Sequence, residues 1–253
     1  NFSERLSVPF PKQKIMKKFL LPIVLVLSTL AAVAQKTIND PNAETRTVSG
    51  FHGIDVATGI KLILTEGNTE AVAVSAANAE HRDKIVTKVE NGILKIYYDS
   101  KLGAINKKNE SKNLRAYVSY KKLDQLNVTT GAAVEIEGVL SSSSLKIKGN
   151  TGGSVTGKVD VTSLTVSQST GSKITLTGKA DSFEADGDTG SKFFGEDLQT
   201  SNCSAKMSTG AGIYITVQKE LSVNANTGGY VKYKGDAGIR DIKTSTGGKA
   251  SKI

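Results

Sequence analysis

The sequence predicts an all-β protein built as a single-stranded parallel β-helix, or β-solenoid, with rungs of about 19 residues and an irregular N-terminal β cap. Three observations carry this prediction. The dipeptide Thr-Gly recurs seven times at nearly constant spacing, apolar residues occupy fixed positions around each copy, and polar residues alternate with them. The composition agrees, because 25 Gly and only 4 Pro among 253 residues are typical of a turn-rich, repetitive β protein.

The Thr-Gly pairs mark the corners of successive repeats. Their spacings are 21, 19, 19, 20, 18 and 19 residues, and such a period indicates a repeat architecture. The pairs begin at Thr130, Thr151, Thr170, Thr189, Thr209, Thr227 and Thr246. Glycine supplies a positive φ at each corner without steric cost. Each repeat is therefore predicted to be a strand, a Thr-Gly turn, a second strand and a return loop.

The residues four before and four after each corner threonine are predicted to form the core. All fourteen are apolar, three of them being alanine, and polar neighbours alternate with them, which is typical of strands with one buried face. The first set is Leu126, Ile147, Val166, Ala185, Ala205, Val223 and Ile242, and the second is Val134, Val155, Ile174, Phe193, Ile213, Val231 and Ala250. Each strand is expected to pair with its copy in the next rung, in a right-handed coil.

The single cysteine, Cys203, fits the same scheme. It lies six residues before a corner threonine, where other repeats carry Leu145, Leu164, Phe183 and Leu221. We predict that Cys203 fills the core and is not a reactive thiol. One thiol also excludes an internal disulfide and a multi-cysteine metal site.

The first 34 residues are predicted to lie outside the fold. Met16 is followed by two lysines, an apolar run and Ala32-Val-Ala34, the layout of a signal peptide over 16–34 with cleavage before Gln35. A membrane anchor is the alternative, but an apolar run of about 16 residues is short for a bilayer core. Residues 1–15 are interpreted as a non-native upstream extension. Residues 1–34 carry five basic side chains and one acidic side chain, so their removal lowers the net charge from +9 to +5. The remaining positive charge is small, and it gives little support to nucleic-acid binding.

The remaining chain is predicted to be one continuous domain over 45–253. Residues 45–123 hold less regular strands with turn signals between them, the sharpest being Asn91-Gly92, and we interpret them as a cap followed by the first, wider rungs. Residues 124–253 form the regular solenoid. Residues 101–113 are a polar loop, and the C-terminal end shows no obvious cap.

Several short motifs in this region occur in the order seen in one known family. They are Gly50-Phe51 with Ile54-Asp-Val56, Ile60-Lys-Leu62-Ile-Leu64, Asn91-Gly92-Ile93-Leu94-Lys-Ile96, and Leu123-Asp-Gln-Leu126-Asn-Val128 leading into Thr130-Gly131-Ala132. With the glycine-turn repeats that follow, the chain resembles the Putative auto-transporter adhesin, head GIN domain family over roughly 46–250. The resemblance implies an exported β-helical protein of Bacteroidetes-type bacteria, and it supplies no catalytic residues.

An exposed aromatic ladder is the candidate ligand-binding site. The residue five after each corner threonine should point outward, and this position holds Phe194 and Tyr214 in neighbouring repeats, with Tyr230 and Tyr233 in the next. Exposed aromatic rings beside Thr and Lys suit sugar rings or an apolar partner. The alternative interpretation is ordinary stacking that stiffens the solenoid.

The sequence contains few residues that could form a catalytic or metal-binding site. Asp186 and Asp188 form the best acidic cluster, but Asp186 should face Ser167 and Lys206 of adjacent rungs, as in a charge pair on a solvated surface. The later ligands of a calcium loop are missing after Asp188. The two histidines are far apart and are assigned to the surface or the cap. We predict no catalytic residues, no metal and no cofactor.

These observations favour a non-enzymatic, exported β-solenoid that mediates adhesion or cell-envelope interactions. The rival is a carbohydrate-binding or carbohydrate-active β-helix of the lyase or hydrolase kind. An ice-binding or surface-binding array of threonines is a third, weaker interpretation, because Phe194 and Tyr214 interrupt it. The expected partners are a cell-surface polysaccharide or another envelope protein, with no transmembrane segment after signal removal. The expected location is the periplasm, the outer surface or the medium.

Overall fold

The computed structural model describes residues 40–101 and 111–253, and it confirms the predicted β-solenoid. The predicted upstream extension and signal peptide, and most of the polar loop, lie outside the described residues. Within these ranges, no helix has the length and apolar character that a bilayer-spanning segment requires. In the described part of the chain, sixteen strands join into one sheet, and one short helix, α1 (Ala79–Arg82), interrupts them.

The strands differ in length between the two parts of the chain. The less regular part contains β1 (Glu44–Arg46), β2 (Gly53–Val56), β3 (Lys61–Glu66), β4 (Ala71–Ser75), β5 (Ile85–Glu90), β6 (Ile93–Tyr98), β7 (Arg115–Tyr120) and β8 (Gln125–Val128). The regular part contains β9 (Ala133–Gly149), β10 (Ser154–Gln168), β11 (Lys173–Gly187), β12 (Lys192–Met207), β13 (Gly212–Ala225), β14 (Tyr230–Lys234), β15 (Gly238–Thr244) and β16 (Lys249–Lys252). From β9 to β13, one long bent strand therefore makes up most of each rung.

Parallel pairing joins each rung to the next in the register that the repeat predicts. Val155 of β10 lies beside Val134 of β9 and Ile174 of β11, which are its equivalents in the neighbouring repeats. Val166, in the second half of β10, lies beside Ile147 and Ala185 in the same way. The inward-facing residues of successive rungs therefore stack directly on one another along the solenoid axis.

The Thr-Gly corners are tight turns in which both residues are left-handed. The corner threonines have φ between 45° and 53°, and the glycines that follow have φ between 69° and 77°. The residue before each threonine accepts a hydrogen bond from the N–H three residues later, as in Ser169 and Ser172. Positive φ at both central residues with this bond defines a type I′ turn. The sequence predicted this backbone for glycine only, yet the β-branched threonines adopt it as well.

An eighth corner, Thr58-Gly59, was missed by the sequence analysis. Its φ values are 63° and 70°, and the N–H of Gly59 donates to the carbonyl of Thr130. The same bond joins every later pair of neighbouring corners, so seven bonds of 3.0 to 3.1 Å connect eight corners. The corner column is therefore a continuous hydrogen-bonded ladder from Thr58 to Thr246.

The eighth corner belongs to a rung whose place along the axis differs from its place in the chain. β2 lies between β6 and β8, and β3 lies between β7 and β9, all in parallel. The rung made by β2 and β3 is thus inserted between two rungs that follow it in sequence. Beyond them, β1, β4 and β5 pair in antiparallel orientation, with Asn91-Gly92 forming the predicted turn between β5 and β6. These antiparallel strands form the N-terminal β cap.

The core is a continuous column of apolar side chains, and it ends abruptly at the last rung. Twelve of the fourteen predicted core residues are buried, and so is Cys203, which is 4% exposed. The exceptions lie in the final rung, where Ile242 is 38% exposed and Ala250 is only partly buried. Ile239 is 48% exposed in the same rung. β15 and β16 each pair with one strand on one side, so within the described ranges their other edges are open and no further rung stacks on their apolar side chains.

The first prediction concerns the strained corner threonines. A β-branched residue in the left-handed region is unfavourable, whereas asparagine enters it readily and is preferred in type I′ turns. We expect Thr170→Asn to raise the free energy of unfolding by about 0.5–1 kcal/mol, measured as a higher urea midpoint by circular dichroism. Gly171→Ala, at φ 69° with no atom within 4 Å of the added carbon, should lower it by about 1 kcal/mol. A lower midpoint for Thr170→Asn would mean that contacts between threonines outweigh the backbone strain.

The second prediction concerns the buried thiol. Burial raises the pKa of Cys203 to about 12, so the reactive thiolate is scarce at pH 8. We expect the native protein to resist iodoacetamide at that pH, while the same protein in guanidinium is fully alkylated, as measured by intact mass. Alkylation of the native protein at the rate of a free cysteine would contradict a structural role for this residue.

Candidate functional site

The predicted aromatic residues form part of a larger cluster on one outer face of the solenoid, which we name the aromatic–lysine surface. Every member stands three or five residues after a corner threonine, where the alternation of the strand directs side chains outward. The members are Lys173, Lys192, Phe194, Tyr214, Tyr230 and Lys232. The constant register places these two positions in adjacent columns that run along the solenoid axis.

Three aromatic rings lie in contact at the centre of this surface. Phe194 and Tyr214 are direct partners in the parallel pairing of β12 and β13. Their rings stack at an interplanar angle of 12° with centroids 5.4 Å apart, and Tyr230 meets Tyr214 edge-on at 82° and 5.9 Å. The predicted ladder contact between Phe194 and Tyr214 is therefore present.

Each of the two stacked rings is accompanied by a lysine from a neighbouring rung. The Nζ atom of Lys173 lies 5.2 Å from the Phe194 centroid, and that of Lys232 lies 5.2 Å from the Tyr214 centroid. Lys173, Phe194, Tyr214 and Lys232 come from four consecutive rungs, so the two stacked rings are flanked by one ammonium group at each end. The sequence analysis noted lysines near the ladder but did not identify this arrangement.

Tyr230 is held by a lysine and a glycine. The Nζ atom of Lys192 lies 4.4 Å from the Tyr230 centroid, and it donates hydrogen bonds to the Tyr230 hydroxyl at 2.9 Å and to the Gly210 carbonyl at 3.2 Å. Beneath the ring lies the backbone of Gly212, where an added side-chain carbon would stand only 2.1 Å from a ring atom. The absence of a side chain at Gly212 therefore lets the ring lie flat on β13.

Tyr233, the fourth predicted residue, does not join the cluster. It stands six residues after its corner threonine and pairs with Ile215, an inward-facing residue of β13. Its side chain is partly buried and packs against the core. Because side chains alternate along a strand, a shift of one position places Tyr233 on the opposite face from Lys232.

The surface carries uncompensated positive charge. Among residues 40–101 and 111–253, Lys173, Lys192 and Lys232 make no ion pair with a carboxylate. In an earlier rung the corresponding column contains Glu135, which pairs with Lys61 at 2.9 Å. Burial alone would raise the pKa of Tyr230, but hydrogen bonds from Lys192 and Tyr214, and the charges of Lys192 and Lys232, lower it below its usual value.

The acidic candidates are engaged in surface interactions. Asp186 lies between Ser167 and Lys206, as predicted, and its carboxylate stands 3.8 Å from the Lys206 ammonium. Hydrogen bonds from Thr209 and Thr189 lower the pKa of Asp188. In the part of the chain that the structure describes, no three His, Cys, Asp or Glu residues are grouped so as to hold a metal ion.

Both histidines have partners that the sequence analysis did not identify. His52 Nδ1 lies 2.8 Å from an Asp124 carboxylate oxygen at the surface, across 72 residues of sequence. His81 is buried in the cap, where its Nδ1 lies 3.0 Å from the hydroxyl of Tyr98. Among the residues that the structure describes, neither pair includes a third side chain in the arrangement of a catalytic triad.

Known structures share this fold. A putative adhesin from Bacteroides fragilis superposes with a TM-score of 0.73 at 17% identity, covering 83% of this chain and 96% of its own. A protein from Parabacteroides distasonis described as a putative lipid binding protein gives 0.65 at 20% identity, covering 85% and 98%. A putative adhesin from Parabacteroides merdae gives 0.59 at 14% identity, covering 83% and 95%. No curated protein compared with the chain matches it.

The family comparison agrees with the motifs and the fold. The model of the Putative auto-transporter adhesin, head GIN domain family matches residues 50–237. That span begins just before β2, contains seven of the eight corners and the whole aromatic–lysine surface, and ends at the residue before β15. The chain therefore belongs to the Putative auto-transporter adhesin, head GIN domain family.

Proposed function

We propose that this protein is a non-enzymatic, exported adhesin that attaches to a cell-surface polysaccharide through the aromatic–lysine surface. The observation that carries the proposal is the clustering of three aromatic rings and three lysines on one outward face. Aromatic and cationic side chains together offer apolar contact, hydrogen-bond donors and charge to an external ligand. The adhesin name of the family supports this class of function.

The shape of the surface suits a polymer. Its members come from four consecutive rungs, and at about 4.8 Å per rung they extend roughly 14 Å along the axis. The positions are fixed by the sheet, so a ligand meets side chains that are already ordered, and the entropy cost of binding falls. An extended chain can lie along such a column and contact several rungs at once.

Two further features support an exported protein without catalytic activity. The predicted signal peptide at 16–34 is typical of export. The most acidic cluster, at Asp186 and Asp188, is engaged by Lys206 and by threonine hydroxyls, whereas polysaccharide hydrolysis needs a pair of carboxyl groups free to act on a glycosidic bond. The carbohydrate-active alternative therefore has less support than a binding function.

The third prediction tests the binding surface. The double variant Phe194→Ala, Tyr214→Ala removes the stacked pair, and we expect it to lose at least about tenfold in affinity for a polysaccharide that the native protein binds on a glycan array. The control, Tyr97→Ala with Val139→Ala, removes apolar groups from other parts of the surface and should bind normally. Urea midpoints of all proteins would verify the fold. Equal binding by both double variants, or binding only to an envelope protein, would contradict the proposal.

A further inference from the structure

We propose that the ligand of the aromatic–lysine surface is a polyanionic polysaccharide, bound through lysine ammonium groups and tyrosine hydroxyls and not by stacking of sugars on the aromatic faces. This inference rests on the function proposed above and specifies its ligand class. It follows from which parts of the rings are covered and from the charge that remains unpaired.

The ring faces are already occupied by groups of the protein. Phe194 has Lys173 on one side and Tyr214 on the other, and Tyr214 has Phe194 on one side and Lys232 on the other. These contacts follow the order of the rungs, so each neighbour lies on its own side of the ring. A neutral sugar could stack on either ring only after displacing a lysine or separating the pair.

One face of the third ring is covered as well. The backbone of Gly212 lies against that face of Tyr230, and the Lys192 ammonium group hydrogen-bonds the hydroxyl at the end of the ring. Around the stacked pair, the groups left for a ligand are therefore ring edges and ammonium groups, with the Tyr230 hydroxyl beside them. Ring edges carry the positive part of the aromatic quadrupole, so this combination favours an anion over a neutral ring.

The unpaired charge extends beyond the rings. Lys249 stands in the same column as Lys173, Lys192 and Tyr230, and it also makes no ion pair within the described ranges. From Lys173 to Lys249 this column spans four rung intervals, about 19 Å. Four of these five rungs contribute a lysine, and positive charge over this length fits a linear polymer with repeated carboxylate or sulfate groups, since several contacts form on one chain.

The ligand class can be tested with matched polymers and the full protein. Dextran and dextran sulfate of equal length form one pair, and a neutral galactan with polygalacturonate forms the other. We expect titration calorimetry to show binding of the acidic member of each pair only, with affinity falling as NaCl rises from 50 to 300 mM. Equal binding of dextran or galactan would overturn the inference and leave the proposed function standing.

A matched pair of triple variants separates the site from the overall charge. Lys173→Gln, Lys192→Gln, Lys232→Gln should weaken binding to the acidic polymers at least about tenfold. The control, Lys146→Gln, Lys148→Gln, Lys179→Gln, removes three exposed lysines that lie outside the two columns and should change affinity by less than about twofold. Equal losses in both variants would show attraction by net charge alone and would overturn the inference.

Two single variants test the mode of contact. Tyr214→Phe removes one hydroxyl and keeps the ring, and Phe194→Leu removes a ring and keeps the apolar contact. We expect the first to weaken binding severalfold and the second to have a smaller effect, and the reverse order would indicate sugar stacking. Failure of every polysaccharide to bind would overturn both the proposed function and this inference, even if polyphosphate bound.

Discussion

The hydrogen bond from each corner glycine to the threonine carbonyl of the next rung is the constraint on which the rest of the structure depends. It requires both corner residues to be left-handed, because only then do the glycine N–H and the threonine carbonyl point along the axis. Repeated from Thr58 to Thr246, it fixes the register between rungs before any side chain is considered. The strained threonine backbone costs free energy at every corner, and the parallel ladder on either side offsets that cost.

A fixed register turns positions in a repeat into columns on a surface. Insertions of one or two residues, which give the spacings of 20 and 21, are absorbed by bulges between the corners, as between Phe194 and Leu198 of β12. The third and fifth positions after the corner lie before these bulges and remain aligned. The aromatic–lysine surface occupies those two positions, and its geometry is therefore insulated from variation in rung length.

The regular part of the fold could be predicted because its information is local. Each repeat contains the same corner, alternating strand and buried positions. Comparison of the repeats therefore shows which residues are equivalent to Val155 and stack on it. The corner at Thr58-Gly59 was not predicted, because its rung is inserted between two rungs that come later in the chain. A constant spacing in the sequence cannot show that the order of rungs along the axis differs from their order in the chain. The partners of His52 and His81 depend on the same long-range arrangement. Within the site, the alternation of the strands predicted that Phe194 and Tyr214 stack. The lysines on the ring faces could not be predicted, because their position depends on the conformation of long side chains and not on the sequence pattern.

The covered ring faces change what the aromatic residues contribute to binding. A free aromatic face is an adhesive surface for sugars, whereas a ring held between an ammonium group and another ring mainly orders its neighbours. Phe194 and Tyr214 then act as a rigid support that holds Lys173 and Lys232 in place, which lowers the rotamer entropy that a long lysine side chain loses on binding. Stacking that stiffens the solenoid and a binding surface are therefore compatible interpretations of one ladder, since the stiffness organises the charges that a ligand would meet.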